Sequence, residues 1–257
     1  MPKFAANLSM MFAEVGFVER FAAARANGFS AVEFLFPYEH DPAVIRDLLQ
    51  QHGLQQALFN MPPGNWAAGE RGLASLPERG EEFRASVAIA LRYAKIIGCP
   101  TLHLMAGLAD PRDAKASDSY RAAVAYAAEE CGKEGITVTI EPINGRDMPG
   151  YFLDDFNRAA EIIAALNLPN LKLQFDIYHR QIIHGDVLTG LQTFLPIIGH
   201  VQVASVPKRN EPGTGELDDF CVFRRLDELG YESYVGCEYR PAAETEAGLG
   251  WLARAQV

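Results

Sequence analysis

The sequence predicts a single-domain (β/α)8 TIM barrel over residues 1–257, and three observations lead there. A phrase of helical pattern, closing glycine and short β-rich run recurs along the chain. Eight candidate strands fit within 257 residues, a length that α/β barrels routinely occupy as one domain. No G-x-G-x-x-G or Walker A motif marks the competing doubly wound sheet, and no linker or low-complexity segment divides the chain.

In chain order, a first strand is expected over 4–9. FVERFAAARANG (17–28) is the first helical pattern and precedes a second strand over 31–36. In DPAVIRDLLQQHG (41–53), Asp41 is a candidate N-cap and Pro42 takes the first helical position. Gly53 supplies the left-handed residue that ends the helix. A third strand covers 55–60. MPPGNWAAGERG (61–72) is a Gly- and Pro-containing loop long enough to act as a lid. RASVAIALRYAKIIG leads into a strand over 101–105, and SYRAAVAYAAEECGKEG into one over 137–141. Strands follow at 171–176 and 199–204, and FRRLDELG introduces the last, over 233–238. Strands alternating with helices imply right-handed crossovers and a parallel sheet.

Bulk properties narrow the function. The formal charge is −10, and the densest basic pairs are only Lys208-Arg209 and Arg224-Arg225. That leaves no basic stripe for a nucleic-acid backbone. The four cysteines form no C-x-x-C and read as reduced thiols. Neither a signal peptide nor an 18-residue apolar run is present, so a cytoplasmic protein without a membrane partner is expected.

Side-chain parity sorts each strand into two faces. In TVTIE, Val138 and Ile140 oppose Thr139 and Glu141; in LKLQFD, Leu173 and Phe175 oppose Gln174 and Asp176. The apolar face must meet the helices, so the barrel interior collects Asn7, Glu33, His103, Glu141, Asp176, Gln202 and Glu238. A strand end that simply meets water is the alternative for any one of them. Four consecutive strands ending in Glu, Asp, Gln and Glu are different, because three carboxylates at one barrel mouth repel unless a cation sits among them. Glu141, Asp176, Gln202 and Glu238 are therefore candidate metal ligands. An all-oxygen set favours Mg²⁺ or Mn²⁺.

The stretches FAANLSMMF, AVEFLFPY, HLMAG, the Asp-x-x-His of DIYH, HVQVASVPKRNEPGTGE and GCEYRP resemble the hydroxypyruvate isomerase family, from Phe4 to about Trp251. That family lies within the xylose isomerase-like TIM barrels and includes the 2-oxo-tetronate isomerases. GCEYRP followed by EAGLGW is similar to that branch in particular. The resemblance implies a metal-assisted isomerase that moves a carbonyl between adjacent carbons of a small hydroxy-oxo acid. Glu141 and Glu238 would be its acid/base pair, and His179 would contact a substrate oxygen. It also implies a barrel that often pairs into a homo-oligomer. A ketose 3-epimerase of the same superfamily and a non-catalytic sugar-acid-binding barrel are the alternatives.

Arg209 is the candidate for the substrate carboxylate, which a guanidinium binds in bidentate fashion; an ion pair with Glu211 is its alternative. His103 and Asn7 point inward and are expected to line the pocket or else to serve as satisfied core polar groups. Phe34, Phe36, Phe59 and Trp66 are read first as core packing, with a wall for the substrate as the alternative.

Overall fold

In the computed structural model, which describes residues 2–255, eight parallel strands close into a barrel in chain order. They are β1 (Lys3–Asn7), β2 (Ala31–Phe34), β3 (Gln55–Asn60), β4 (Thr101–Leu104), β5 (Thr137–Ile140), β6 (Leu171–Asp176), β7 (Ile198–Gln202) and β8 (Tyr234–Cys237). All eight expected strands form, six of them ending one or two residues early. The remaining three positions of the expected 1–257 domain lie outside the described residues.

The helices are α1 (Glu19–Ala26), α2 (Pro42–His52), α3 (Gly80–Ile97), α4 (Ala114–Gly132), α5 (Phe156–Leu166), α6 (Ile177–Ile183), α7 (Val187–Phe194), α8 (Asp219–Glu228), α9 (Thr245–Gly248) and α10 (Gly250–Arg254). The Asp41 side chain accepts from Ala43 N at the start of α2, and Gly53 ends it at φ 61°. No helix among the described residues is long and apolar enough to cross a membrane.

The main apolar core fills the layer between strands and helices and takes the outward strand residues, including Val138, Ile140, Leu173 and Phe175. Inside the barrel, the separate apolar cluster among the described residues is small. Ala5, Ala31 and Ala57 form it, with Tyr234 packed against them. The space above is polar, as parity required.

Glu33 is the centre of that space and is fully buried. Its Oε1 accepts from Asn7 Nδ2 at 2.9 Å and from Gln202 Nε2 at 2.8 Å. Its Oε2 lies 2.7 Å from His200 Nε2. The chain of bonds continues outward: Gln174 Nε2 donates to Gln202 Oε1 at 2.7 Å, and Thr139 Oγ1 to Gln174 Oε1 at 2.9 Å. The strand registers shift at Val32/Glu33 and at Leu173/Gln174, next to two members of this network. Irregularities of this kind re-aim side chains.

The neighbouring strand makes room by omission. A Cβ at Gly236 would overlap the Glu33 carboxylate. Gly236→Ala is therefore expected to lower the unfolding free energy by about 1–3 kcal/mol, the usual cost of overpacking. Urea denaturation reads it, and an unchanged midpoint would show that Glu33 has slack to move.

Candidate active site

The carboxyl-terminal ends of β5 to β8 deliver the four candidate metal ligands to one place. Glu141 follows β5 directly, Asp176 and Gln202 are the last residues of β6 and β7, and Glu238 follows β8. All four are buried. Asp176 pairs in register with Gln202, and Gln202 with Gly236, so their order around the mouth is set by the barrel itself.

Glu141 is enclosed. Its Oε2 is 3.5 Å from His103 Nε2, while its Oε1 is buried with no hydrogen-bond partner. Asp176 Oδ1 accepts from Tyr178 N at 2.7 Å, and its Oδ2 is likewise buried and unpartnered. Burial raises all three carboxyls against ionisation. Glu141 is pushed well up by burial and then by Glu238 and Asp176. Glu238 is pushed up to about 8, again first by burial, with Arg209 pulling the other way. Asp176 rises to about 6 for the same leading reason, opposed by Arg209 and two backbone N–H groups.

The compensating charge is Arg209. It sits in the loop after β7 at φ 58°, a left-handed conformation uncommon for a side chain of its size. The turn is held by Arg209 N donating to Ser205 O at 2.8 Å and Arg240 N donating to Arg209 O at 2.7 Å. The guanidinium lies 3.1 Å from Glu238, 3.6 Å from Asp176 and 3.8 Å from Asp147. Glu211, the alternative partner, instead accepts from Ala242 N at 2.9 Å. The structure thus places Arg209 among the protein's own carboxylates.

His179, in α6, is oriented by Asn144. Asn144 Oδ1 accepts from Arg146 N and Asp147 N at 3.0 and 2.9 Å, so its Nδ2 is the group facing His179 Nδ1 at 2.6 Å. An amide nitrogen donates, so Nδ1 accepts and the ring proton resides on Nε2. Burial holds the ring well below its ordinary pKa and hence neutral. His179 therefore aims an N–H at the acids, 3.5 Å from Asp176 Oδ2 and 4.0 Å from Glu141 Oε1. His103 is also kept neutral by burial, at about 3, and neither of its ring nitrogens has a hydrogen-bond partner.

Glu141, Glu238, His103, His179 and Arg209 all line one cleft of about 270 Å³. That volume is at the small end for ligand clefts and suits a small metabolite. Asn7 does not line it, because its amide is committed below to Glu33 and to Ser9 N, 3.1 Å away. Asp176 and Gln202 lie behind the lining. Of the aromatics, Phe34 and Phe59 are core residues, while Trp66 reaches the cleft.

Two contributors went unread in the sequence. Asn144 orients the histidine, and its signal was the N-G-x-D turn in the stretch INGRD. Arg71 lines the cleft from the 61–72 loop, whose glycines, prolines and length mark a lid but do not single out this residue.

A parallel eight-stranded barrel with buried acids gathered at the carboxyl ends of consecutive strands is the layout of a TIM-barrel enzyme. The family model described as xylose isomerase-like TIM barrel matches residues 21–255. A protein named 2-oxo-tetronate isomerase from Cupriavidus necator is 54% identical over 254 residues, covering 98% of each chain. One named hydroxypyruvate isomerase from Escherichia coli is 42% identical over 255 residues, again covering 98% of each. A crystal structure described as AP endonuclease, family 2, from Brucella melitensis superposes with a TM-score of 0.96 at 49% identity and covers 99% of both chains. The chain belongs to the hydroxypyruvate isomerase family of xylose isomerase-like TIM barrels and is an enzyme of the isomerase class.

The raised carboxyls give a sign to test. Glu238 holds its proton up to about 8 in the folded state, against an ordinary value of 4.5. Its contribution to stability is therefore fully present below about pH 4.5 and is lost as pH rises through 8. Glu238→Gln stays neutral throughout, so in metal-free buffer the variant should gain melting temperature relative to wild type between pH 5 and about pH 9. A wild type that gains on the variant over that range would place Glu238 in a fully compensated setting.

Proposed function

We propose that the protein interconverts 2-oxo-tetronate and 3-oxo-tetronate through an enediolate, with Glu141 and Glu238 as the acid/base pair. Hydroxypyruvate and tartronate semialdehyde are the shorter version of the same reaction. The observation that carries this reading is a pair of buried glutamates with raised proton affinity lining a single small cleft. The names of the relatives from Cupriavidus necator and Escherichia coli support it.

Moving a carbonyl by one carbon needs a base for the proton on the hydroxyl-bearing carbon and an acid to protonate the former carbonyl carbon. Carboxyls whose affinity is lifted toward neutrality suit both tasks. Negative charge then spreads over the two substrate oxygens, and His179 is oriented to donate its Nε2–H to one of them. Arg209 holds Glu238 and adds positive charge at the same point.

The donor set fits a hard divalent cation, Mg²⁺ or Mn²⁺. Glu141 Oε1 and Asp176 Oδ2 are buried carboxylate oxygens with no hydrogen-bond partner, an expensive arrangement unless a cation completes it. Gln202 Oε1 accepts one bond from Gln174 and keeps a second lone pair. Glu141, Asp176, Gln202 and Glu238 would hold the ion. His179 also falls within ligating distance of the first two, yet its Nε2 carries the proton, which favours a substrate contact. A bound cation stabilises negative charge as it builds on substrate oxygens.

The name AP endonuclease, family 2, of the Brucella melitensis structure points to nucleic-acid chemistry, for which this chain, with a formal charge of −10, offers no basic stripe. Among the described residues only Glu141, Asp176 and His179 form a group of three or more His, Cys, Asp or Glu side chains at ligating distance. The isomerase reading uses that one group fully.

Proton NMR in D₂O, with Mg²⁺ or Mn²⁺ added, tests the proposal on hydroxypyruvate, a 2-oxo-tetronate and fructose. Isomer peaks and deuterium uptake are expected with the acids only. Glu141→Gln and Glu238→Gln should each lower kcat by about 10²- to 10⁴-fold, the usual contribution of a positioned acid or base. Exchange confined to fructose would make the enzyme a 3-epimerase. For the metal, calorimetric titration of Mn²⁺ should give one site that Asp176→Asn weakens at least tenfold; equal binding by both proteins removes Asp176 from the ligand set.

A further inference from the structure

We propose that the substrate's carboxylate is received by Arg71, on the loop after β3, and not by Arg209. The inference rests on the reading above that the substrate is a small acid, and it names the residue that selects for one.

Three arginines line the cleft: Arg71, Arg209 and Arg240. Their charges are in different states. Arg209 faces Glu238, Asp176 and Asp147, so its guanidinium is already occupied by the enzyme's own acids. A substrate carboxylate placed there would meet those acids as like charges. Arg240 is exposed, and its side chain has no partner among the described residues, so binding through it would first have to order a mobile side chain.

Arg71 differs from both. Its Nη1 donates to the carbonyls of Trp66 and Glu70, at 3.1 and 2.7 Å, and its guanidinium stacks 3.8 Å from the Trp66 ring centroid. Those partners are neutral and leave the positive charge unmatched. The neighbouring carboxylate of Glu70 does not neutralise it, because Glu70 binds Arg79 Nη1 at 2.8 Å and Asn65 N at 2.5 Å. Nε and Nη2, which share one edge of the guanidinium, have no partner among the described residues. That edge presents two parallel N–H donors, the geometry that a carboxylate takes up bidentately.

The backbone beneath is fastened. Gly107 N donates to Arg71 O at 3.1 Å, and Gly72 N to Pro63 O at 2.9 Å. Gly72 forms an isolated antiparallel bridge with Ala106 at φ 116°, where any Cβ would overlap the backbone of Met105. Trp66 is in turn packed on Phe36 at 5.0 Å. Arg71 is therefore held in place before substrate arrives, which lowers the entropy lost on binding.

The test compares wild type, Arg71→Met, Arg71→Lys and Arg209→Lys, using keto-acid kinetics and inhibition by D-glycerate and by neutral glycerol. Melting temperatures check that each variant is folded. For Arg71→Met, KM for the keto acid and Ki for glycerate should rise roughly 10- to 100-fold, as for loss of a charged hydrogen-bond pair. Its kcat should change far less, and the weak inhibition by glycerol should stay the same. Arg71→Lys should recover part of the loss, since it keeps the charge without the paired edge. Arg71→Met values within twofold of wild type overturn the proposal. So does a selective loss of glycerate binding in Arg209→Lys with Arg71→Met unaffected, or an equal loss of glycerate and glycerol in Arg71→Met. A wild type that binds glycerate through Arg71 yet isomerises nothing would keep this site and overturn the proposed reaction, whereas a wild type that isomerises the keto acid with Arg71→Met unaffected keeps the reaction and overturns this site.

Discussion

Everything at the barrel mouth depends on one carboxylate that never touches it. Glu33 sits at the bottom of the polar interior with Asn7, Gln202 and His200 around it. Because a carboxylate accepts, Gln202 must turn its nitrogen down and its oxygen up. Gln174 and Thr139 follow in the same sense. A single buried acid thus sets the direction of a row of neutral groups behind the chemistry. Such a network is costly when incomplete, and the fold supports it by keeping its main apolar core outside the strands and by leaving Gly236 without a side chain.

Above that base the site is a balance of unlike charges. Three buried carboxyls are resisted by burial and by one another, and Arg209 relieves them only partly. The left-handed backbone at Arg209 is the local cost of turning that guanidinium inward. Unpartnered oxygens on Glu141 and Asp176 show where the balance is still open. Strain and unmet polar groups concentrated in one small volume are features of a working site more than of a stable core.

Much of this was legible before any coordinates. Strand positions followed from the recurrent glycine after each helical pattern, and the period-two alternation named the inward residues, including Glu33 and all four mouth residues. Parity gives a face but not a depth, which is why Asn7 faces inward yet lies below the cleft. The helices α5, α6 and α7 lacked the repeating phrase and were not anticipated, though α5 does begin at a capping aspartate, Asp155. Loop residues were the hardest. That Arg209 meets Glu238 and not Glu211 depends on the path of a turn, which sequence adjacency does not reveal. Arg71 lies far in sequence from the cleft residues that follow β5 and β8, so no spacing rule could have placed it beside them.

The bridge between Gly72 and Ala106 has a consequence for how such enzymes diversify. It ties the loop after β3 to the segment after β4, so the wall bearing Trp66 and Arg71 is built as a unit from one side of the barrel. The buried acids Glu141, Asp176 and Glu238 come from the other side, at the ends of β5, β6 and β8. The segment after β4 is bridged in turn to the loop after β5, Leu108 to Tyr151, so exchanging that wall for one that takes another substrate would also disturb the strand end that carries Glu141.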